Sequence, residues 1–129
     1  MTRLRAALGT VVIAVLIASC GGGGDSGGAK PFKEPTGAAA ETLNIEAGNF
    51  YFKPKNITTN AGIVDIDLKS ADGTHTFVFD NSKVPGYQLE VNTGQSDSKK
   101  VKLSPGKYVF YCDILGHRAQ GMEGTITVK

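Results

Sequence analysis

"YCDILGHRAQGMEG", residues 111–124, holds one of the chain's two cysteines, one of its two histidines and one of its two methionines. Cys112, His117 and Met122 stand at even five-residue steps, with Gly116 and Gly121 among them. Just upstream, Lys107 to Cys112 alternates, with Tyr108, Phe110 and Cys112 sharing one face. That pattern predicts a strand that delivers Cys112 at its end. Gly124 to Lys129 predicts a final strand. The loop between them carries His117 and Met122, and its glycines let it fold back so that residues five apart converge on one point.

Working outward, the rest of the chain from Thr42 reads as strands. Leu43-Asn44-Ile45 alternates, and Phe50-Tyr51-Phe52 is aromatic and stops at Pro54. Ile63 to Leu68 follows Gly62 and places Val64, Ile66 and Leu68 on one face. Ala71-Asp72-Gly73 is a turn. Thr74 to Phe79 then sets His75, Phe77 and Phe79 on a common face. Ser98 to Leu103 ends at Ser104-Pro105-Gly106. Residues 81–95 read as irregular, with Pro85-Gly86 as a turn signal. No segment from residue 42 onward keeps a 3.6-residue apolar period. Seven to eight short strands separated by turns predict an all-β, antiparallel Greek-key β-sandwich over residues 42–129.

The inward face of another strand supplies His75. With Cys112, His117 and Met122 it makes a set of one thiolate, two imidazoles and one thioether. Two His and a Cys with a weak axial Met describe a blue-copper electron-transfer site. Zinc more readily uses Cys and His without Met. Each residue alone has an ordinary explanation, as core histidine, inert buried thiol or core filler. Their spacing, the upstream His and the all-β pattern agree with one another, and that agreement favours the metal reading.

The first residues belong to a different category. "MTRLRAALGTVVIAVLIASC" has a basic start at Arg3 and Arg5, then an uncharged run from Ala6 to Ser19 that suits a secretory signal. It ends in Ile17-Ala18-Ser19-Cys20, which resembles the bacterial lipobox. Residues 1–19 are therefore expected to be a lipoprotein signal peptide. Cys20 is the expected lipidation site, which tethers the protein to the outer face of a bacterial cell membrane. Residues 20–41, Gly-rich and then Pro/Ala-rich, read as a flexible tether with a reach of roughly 25 Å. If Cys20 carries lipid, Cys112 has no disulfide partner, and a lone thiol in an exported protein calls for burial or a metal. From Cys20 onward, eleven Lys and Arg118 balance twelve Asp and Glu. A neutral chain gives no basis for nucleic-acid binding. Lys99, Lys100 and Lys102 form a short basic run that reads as a solvated strand edge. The domain is expected to be a monomer.

"GKYVFYCDILGHRAQGMEGTITV" resembles the C-terminal part of the cupredoxin family, the small blue copper proteins. "FKPKNITTNAGIVDIDLKS" resembles that family's F-x-P segment, Gly turn and strand. The likeness covers residues from about 43 to 129. It implies one copper ion cycling between Cu(I) and Cu(II), held by His75 in "GTHTFVFD" and by Cys112, His117 and Met122. The C-x4-H-x4-M spacing is longer than plastocyanin's C-x2-H-x4-M. Two departures stand out. Many cupredoxins have Asn where Thr76 stands, tying the two ligand loops together, and many have Pro where Leu115 stands. A single Cys in the loop excludes a binuclear centre with two bridging thiolates.

The implied function is one-electron transport between exported or membrane-bound redox proteins, without enzymatic activity of its own. A copper chaperone or buffer is the rival, but it calls for exposed, Met/His-rich ligands. A copper-free adhesion module is a third reading. In the family the loop His reaches the surface within an apolar rim. Here Ile114, Leu115 and Gly116 are expected to form that docking rim, with Val84 and Pro85 beside them. The alternative is that Leu115 packs inward in place of the loop Pro.

Overall fold

The computed structural model describes residues 31–80 and 83–129. The expected signal peptide, the lipobox and Cys20 lie outside the described residues. The described residues form nine strands: β1 Glu41–Gly48, β2 Tyr51–Lys53, β3 Asn56–Thr59, β4 Gly62–Ser70, β5 His75–Phe79, β6 Gln88–Val91, β7 Ser96–Leu103, β8 Gly106–Tyr111 and β9 Glu123–Val128. They make two sheets, ordered β2-β1-β4-β7 and β3-β9-β8-β5-β6. A single 3-10 turn, Arg118–Gln120, interrupts the β8–β9 connection. Among the described residues no helix is long and apolar enough to cross a membrane.

The sandwich holds, with corrections. Among the described residues there are nine strands rather than seven or eight, the additional ones being the four-residue Asn56–Thr59 and Gln88–Val91. Gln88–Val91 lies inside the stretch read as irregular, and it alternates exposed with buried residues. The sheets are mixed, not purely antiparallel: β1 runs parallel to β4, and β3 parallel to β9. Parallel neighbours need a long connection. Residues 49–61, which form β2 and then cross to β3 in the other sheet, supply it between β1 and β4.

The core is built from alternating inward residues of both sheets. Leu43, Ile45, Val64, Ile66, Leu68, Val101 and Leu103 face Phe77, Leu89, Val91, Phe110 and Ile126, all buried. Phe77 stacks on Phe110 with ring centroids 4.6 Å apart, and Phe52 packs edge-on against Phe110 at 5.2 Å. A Cβ at the buried Gly124 would overlap the Phe110 ring, so that ring occupies the space a larger residue would fill. Tyr87 bridges the sheet edges, its hydroxyl donating to the Lys99 carbonyl at 2.8 Å. Burial pushes its phenol well above the ordinary tyrosine range, so it remains a donor.

The tether reading extends too far over residues 31–41. Phe32 packs edge-on against Tyr87 at 5.0 Å, and the Glu34 carboxylate accepts the Lys100 backbone N–H at 3.0 Å. Lys100 Nζ donates to the Gly37 carbonyl at 2.9 Å, and Ala40 N–H donates to the Ile63 carbonyl at 2.8 Å. Glu41 already belongs to β1. Polar composition hid one aromatic anchor and a strand start. Lys100, read as part of a solvated edge, is thus tied into this strap.

Candidate metal centre

The β5–β8 pairing decides where the chemistry sits. Val78 pairs with Tyr111 and Phe79 with Phe110, antiparallel. The start of β5 and the end of β8 therefore meet at one end of the sandwich, which brings His75 beside Cys112. From Cys112 the loop closes on itself. Cys112 N–H donates to the Met122 carbonyl at 3.1 Å, and Met122 N–H donates to the His117 carbonyl at 3.2 Å. His117 N–H donates to the Ile114 carbonyl at 3.0 Å. Gly116 and Gly121 take φ of 85° and 98°, in the left-handed region where Gly is favoured. The even spacing in the sequence becomes a backbone-bonded ring.

His75, Cys112 and His117 each present a ligand atom, and these atoms lie within 4.8 Å of one another. The Cys112 sulfur is 3.5 Å from His117 Nδ1, and the two imidazole centroids are 5.5 Å apart. Imidazole and thiolate bonds to a first-row ion of about 2.0–2.3 Å place such donors roughly 3.5–4 Å apart around one centre. Cys112 and Met122 are fully buried, and His75 is 2% exposed. His117 is half-buried. Met122 is joined to this group through its backbone, to Cys112 on one side and His117 on the other.

His75 shows how the site suits a cation. Its Nε2 lies 3.2 Å from Asp72 Oδ1, while its Nδ1 is buried with no hydrogen-bond partner among the described residues. A buried, unpartnered polar atom is costly unless something binds it. With Nε2–H donating to the carboxylate, the Nδ1 lone pair is left free, the arrangement that orients metal-bound histidines. The turn Ala71-Asp72-Gly73 read only as a turn, so this role of Asp72 escaped the sequence reading.

Thr76 closes the gap left by the missing Asn. Its backbone N–H donates to the Cys112 sulfur at 3.4 Å. Its hydroxyl donates to Asp113 Oδ1 at 2.6 Å and accepts the Asp113 N–H at 2.9 Å. The same hydroxyl is 3.4 Å from the sulfur, but it has one proton, and the closer carboxylate takes it. The tie between the two ligand segments is present, made by a different residue with an aspartate as its partner.

The loop is also pinned at its rim. Arg118 Nε donates to Glu123 Oε2 at 2.7 Å, and its terminal nitrogen donates to Asp80 Oδ2 at 2.7 Å. Its guanidinium lies over the Tyr111 ring, 4.0 Å from the centroid. The hydrogen bond to Asp80 raises its already high pKa further. Leu115, which could have packed inward, is 98% exposed. Val84 and Pro85 are not part of this end: Val84 is buried in the core, and both line a shallow hollow with Pro31, Phe32 and Val101. The aromatic neighbour of His117 is instead Phe50, 5.2 Å away and edge-on.

Comparison with known proteins decides the family. Residues 39–129 match the family described as copper binding proteins, plastocyanin/azurin family. The chain belongs to this family. This cupredoxin is 37% identical over 98 residues to a plastocyanin of Dryopteris crassirhizoma, covering 65% of this chain and 93% of that protein. It is 35% identical over 101 residues to a plastocyanin of Ulva prolifera, covering 71% and 100%. Its fold superposes on auracyanin B with a TM-score of 0.66 at 19% identity, covering 77% of this chain and 96% of that one. A dithionite-reduced auracyanin from Roseiflexus castenholzii gives 0.61 at 22%, covering 71% and 99%. The cofactor of this cupredoxin is a single copper ion, consistent with its His-Cys-His cluster. Like the plastocyanins it resembles, it is a copper electron carrier rather than an enzyme.

Replacing Thr76 by Val removes the hydroxyl and leaves the Asp113 N–H without its acceptor. The expected cost is about 1–3 kcal/mol, read from the denaturant midpoint of the metal-free protein, with Thr76→Ser restoring most of it. A Thr76→Val protein as stable as the parent would show that the tie contributes nothing.

Proposed function

We propose that His75, Cys112, His117 and Met122 hold the copper ion. In this reading the protein carries single electrons between exported or membrane-bound redox proteins, tethered by lipid on Cys20. The observation that carries the ligand assignment is that His75, whose buried Nδ1 has no hydrogen-bond partner among the described residues, presents a ring nitrogen within 4.8 Å of the other two donors. When bound, copper supplies a one-electron couple between Cu(II) and Cu(I). The chain's own part is to keep its donors still. Asp72 orients His75, Thr76 N–H supports the sulfur, and backbone bonds fix His117 and Met122. These bonds do not involve the metal, so they favour a ligand frame that stays the same in both oxidation states. Burial of Cys112 and Met122 keeps water off the centre. The buffer reading is weaker, because an exchangeable site needs accessible donors and three of these four are buried.

Ile114 and Leu115 support a docking role. Leu115 stands almost fully in water one residue from Gly116 and two from His117, while Ile114 packs partly against the core. A small apolar patch suits a complex that must form and release quickly. The domain division, with a signal over residues 1–19 and a lipidated Cys20, rests on the lipobox resemblance in the sequence.

Three outcomes test this. Copper-loaded wild type should show an intense visible band that Cys112→Ser abolishes, while far-UV circular dichroism stays that of a β-sandwich. A band that survives the substitution would remove Cys112 from the site. Leu115→Lys should slow electron exchange with a redox partner roughly tenfold, through poorer apposition of the apolar patch. Its visible spectrum should stay the same; a shifted spectrum would make Leu115 a packing residue. In a bacterial host, labelled fatty acid should mark the wild type and not Cys20→Ser, and an unlabelled wild type would refute the anchor.

A further inference from the structure

The hairpin joining β1 to β2 has two residues in its turn, Asn49 and Phe50, between the paired Gly48 and Tyr51. Phe50 takes a φ of 64°. A positive φ at the second central position of a tight turn is normally filled by Gly or Asn, because a side chain there meets its own backbone. The chain follows that preference elsewhere: eight described glycines have positive φ, and Phe50 is the non-glycine exception among the described residues. An aromatic residue in this conformation is strained, and such strain persists only where the surrounding structure holds it.

Its side chain explains what the strain accomplishes. The Phe50 ring lies edge-on to the His117 imidazole, with centroids 5.2 Å apart and planes at 81°. That is the favoured geometry for an aromatic pair. The His117 Nδ1 is 3.5 Å from the Cys112 sulfur, and the His75 ring lies 5.5 Å away. His117 is carried by a loop with exposed Leu115 where a rigid Pro is common in the family. Its backbone is bonded at both N–H and C=O, but backbone bonds do not set the rotation of the ring.

The geometry points to Phe50 as a positioning residue for His117: its ring braces the imidazole so that Nδ1 faces Cys112, and the chain tolerates a strained backbone to place it there. This rests on the ligand role proposed for His117. The test compares wild type with Phe50→Gly, Phe50→Leu and Phe50→Tyr. Gly suits the positive φ and removes the ring. In the metal-free protein, Phe50→Gly should leave the denaturant midpoint at or above that of wild type, since relief of strain offsets the lost contact. NMR of the His117 ring should show it newly mobile. In the copper-loaded protein, electron self-exchange should fall about tenfold, as a small misplacement of a reacting group does. Phe50→Leu should keep the backbone strain and share the loss of ring order, while Phe50→Tyr should restore both order and rate. A midpoint that falls with the rate in Phe50→Gly would make Phe50 ordinary packing and overturn the inference. So would an imidazole that stays ordered without the ring. A wild type lacking the copper spectrum would overturn the ligand reading instead, and the metal-free ring order would still decide for or against Phe50.

Discussion

Thr76 and Cys112 meet at the point on which the whole site depends. A sulfur with no exposure to water must find its hydrogen-bond partners inside the protein. Thr76 N–H provides one, at 3.4 Å, and it can do so only because β5 lies beside β8. The hydroxyl of the same residue, bonded twice to Asp113, fixes where the chain goes as it leaves the strand. Hence one residue of β5 sets the position of the thiol and the departure of the loop that carries His117 and Met122. The stacked Phe77 and Phe110, one on each strand, hold that pairing from beneath.

A second constraint comes from the loop itself. Its hydrogen bonds run from Cys112 to Met122 and from Met122 to His117, so the three proposed ligands are linked through the backbone. Arg118 then fastens the outside of the loop to Asp80 and to Glu123 at the start of β9. Surface ion pairs contribute little each. Here two carboxylates and an aromatic face converge on one planar guanidinium, so the geometry is better defined than in an isolated pair. The stiffness often supplied by a loop Pro is distributed over these contacts.

The strap of residues 31–40 has a different function in the fold. It joins the β6 side of one sheet to the β7 side of the other through Phe32 on Tyr87 and Glu34 on Lys100. That seam is an open side of the sandwich, and covering it shields edge groups that would otherwise invite pairing with other chains. The charged side chains of β7 that looked solvated are partly occupied with this task.

By itself the sequence determined the class of fold and pointed to the chemistry of its centre. Alternation at period two, as in Val64-Ile66-Leu68 and Phe77-Phe79, is a local consequence of strand geometry, so it is visible without a structure. The proposed donor set rests on the same kind of local signal, since Cys112, His117 and Met122 lie on one short loop and their types together suit a metal. Strand direction, sheet membership and the short strands β3 and β6 were not legible, because they depend on partners distant in the chain. Neither were Asp72 behind His75, Thr76 beneath Cys112 or Phe50 against His117. Each acts on a residue in another segment or through a backbone angle that residue type argues against. Only the tertiary structure decided those contacts, because a hydrogen bond or ring contact is set by distance in space, and the sequence records only distance along the chain.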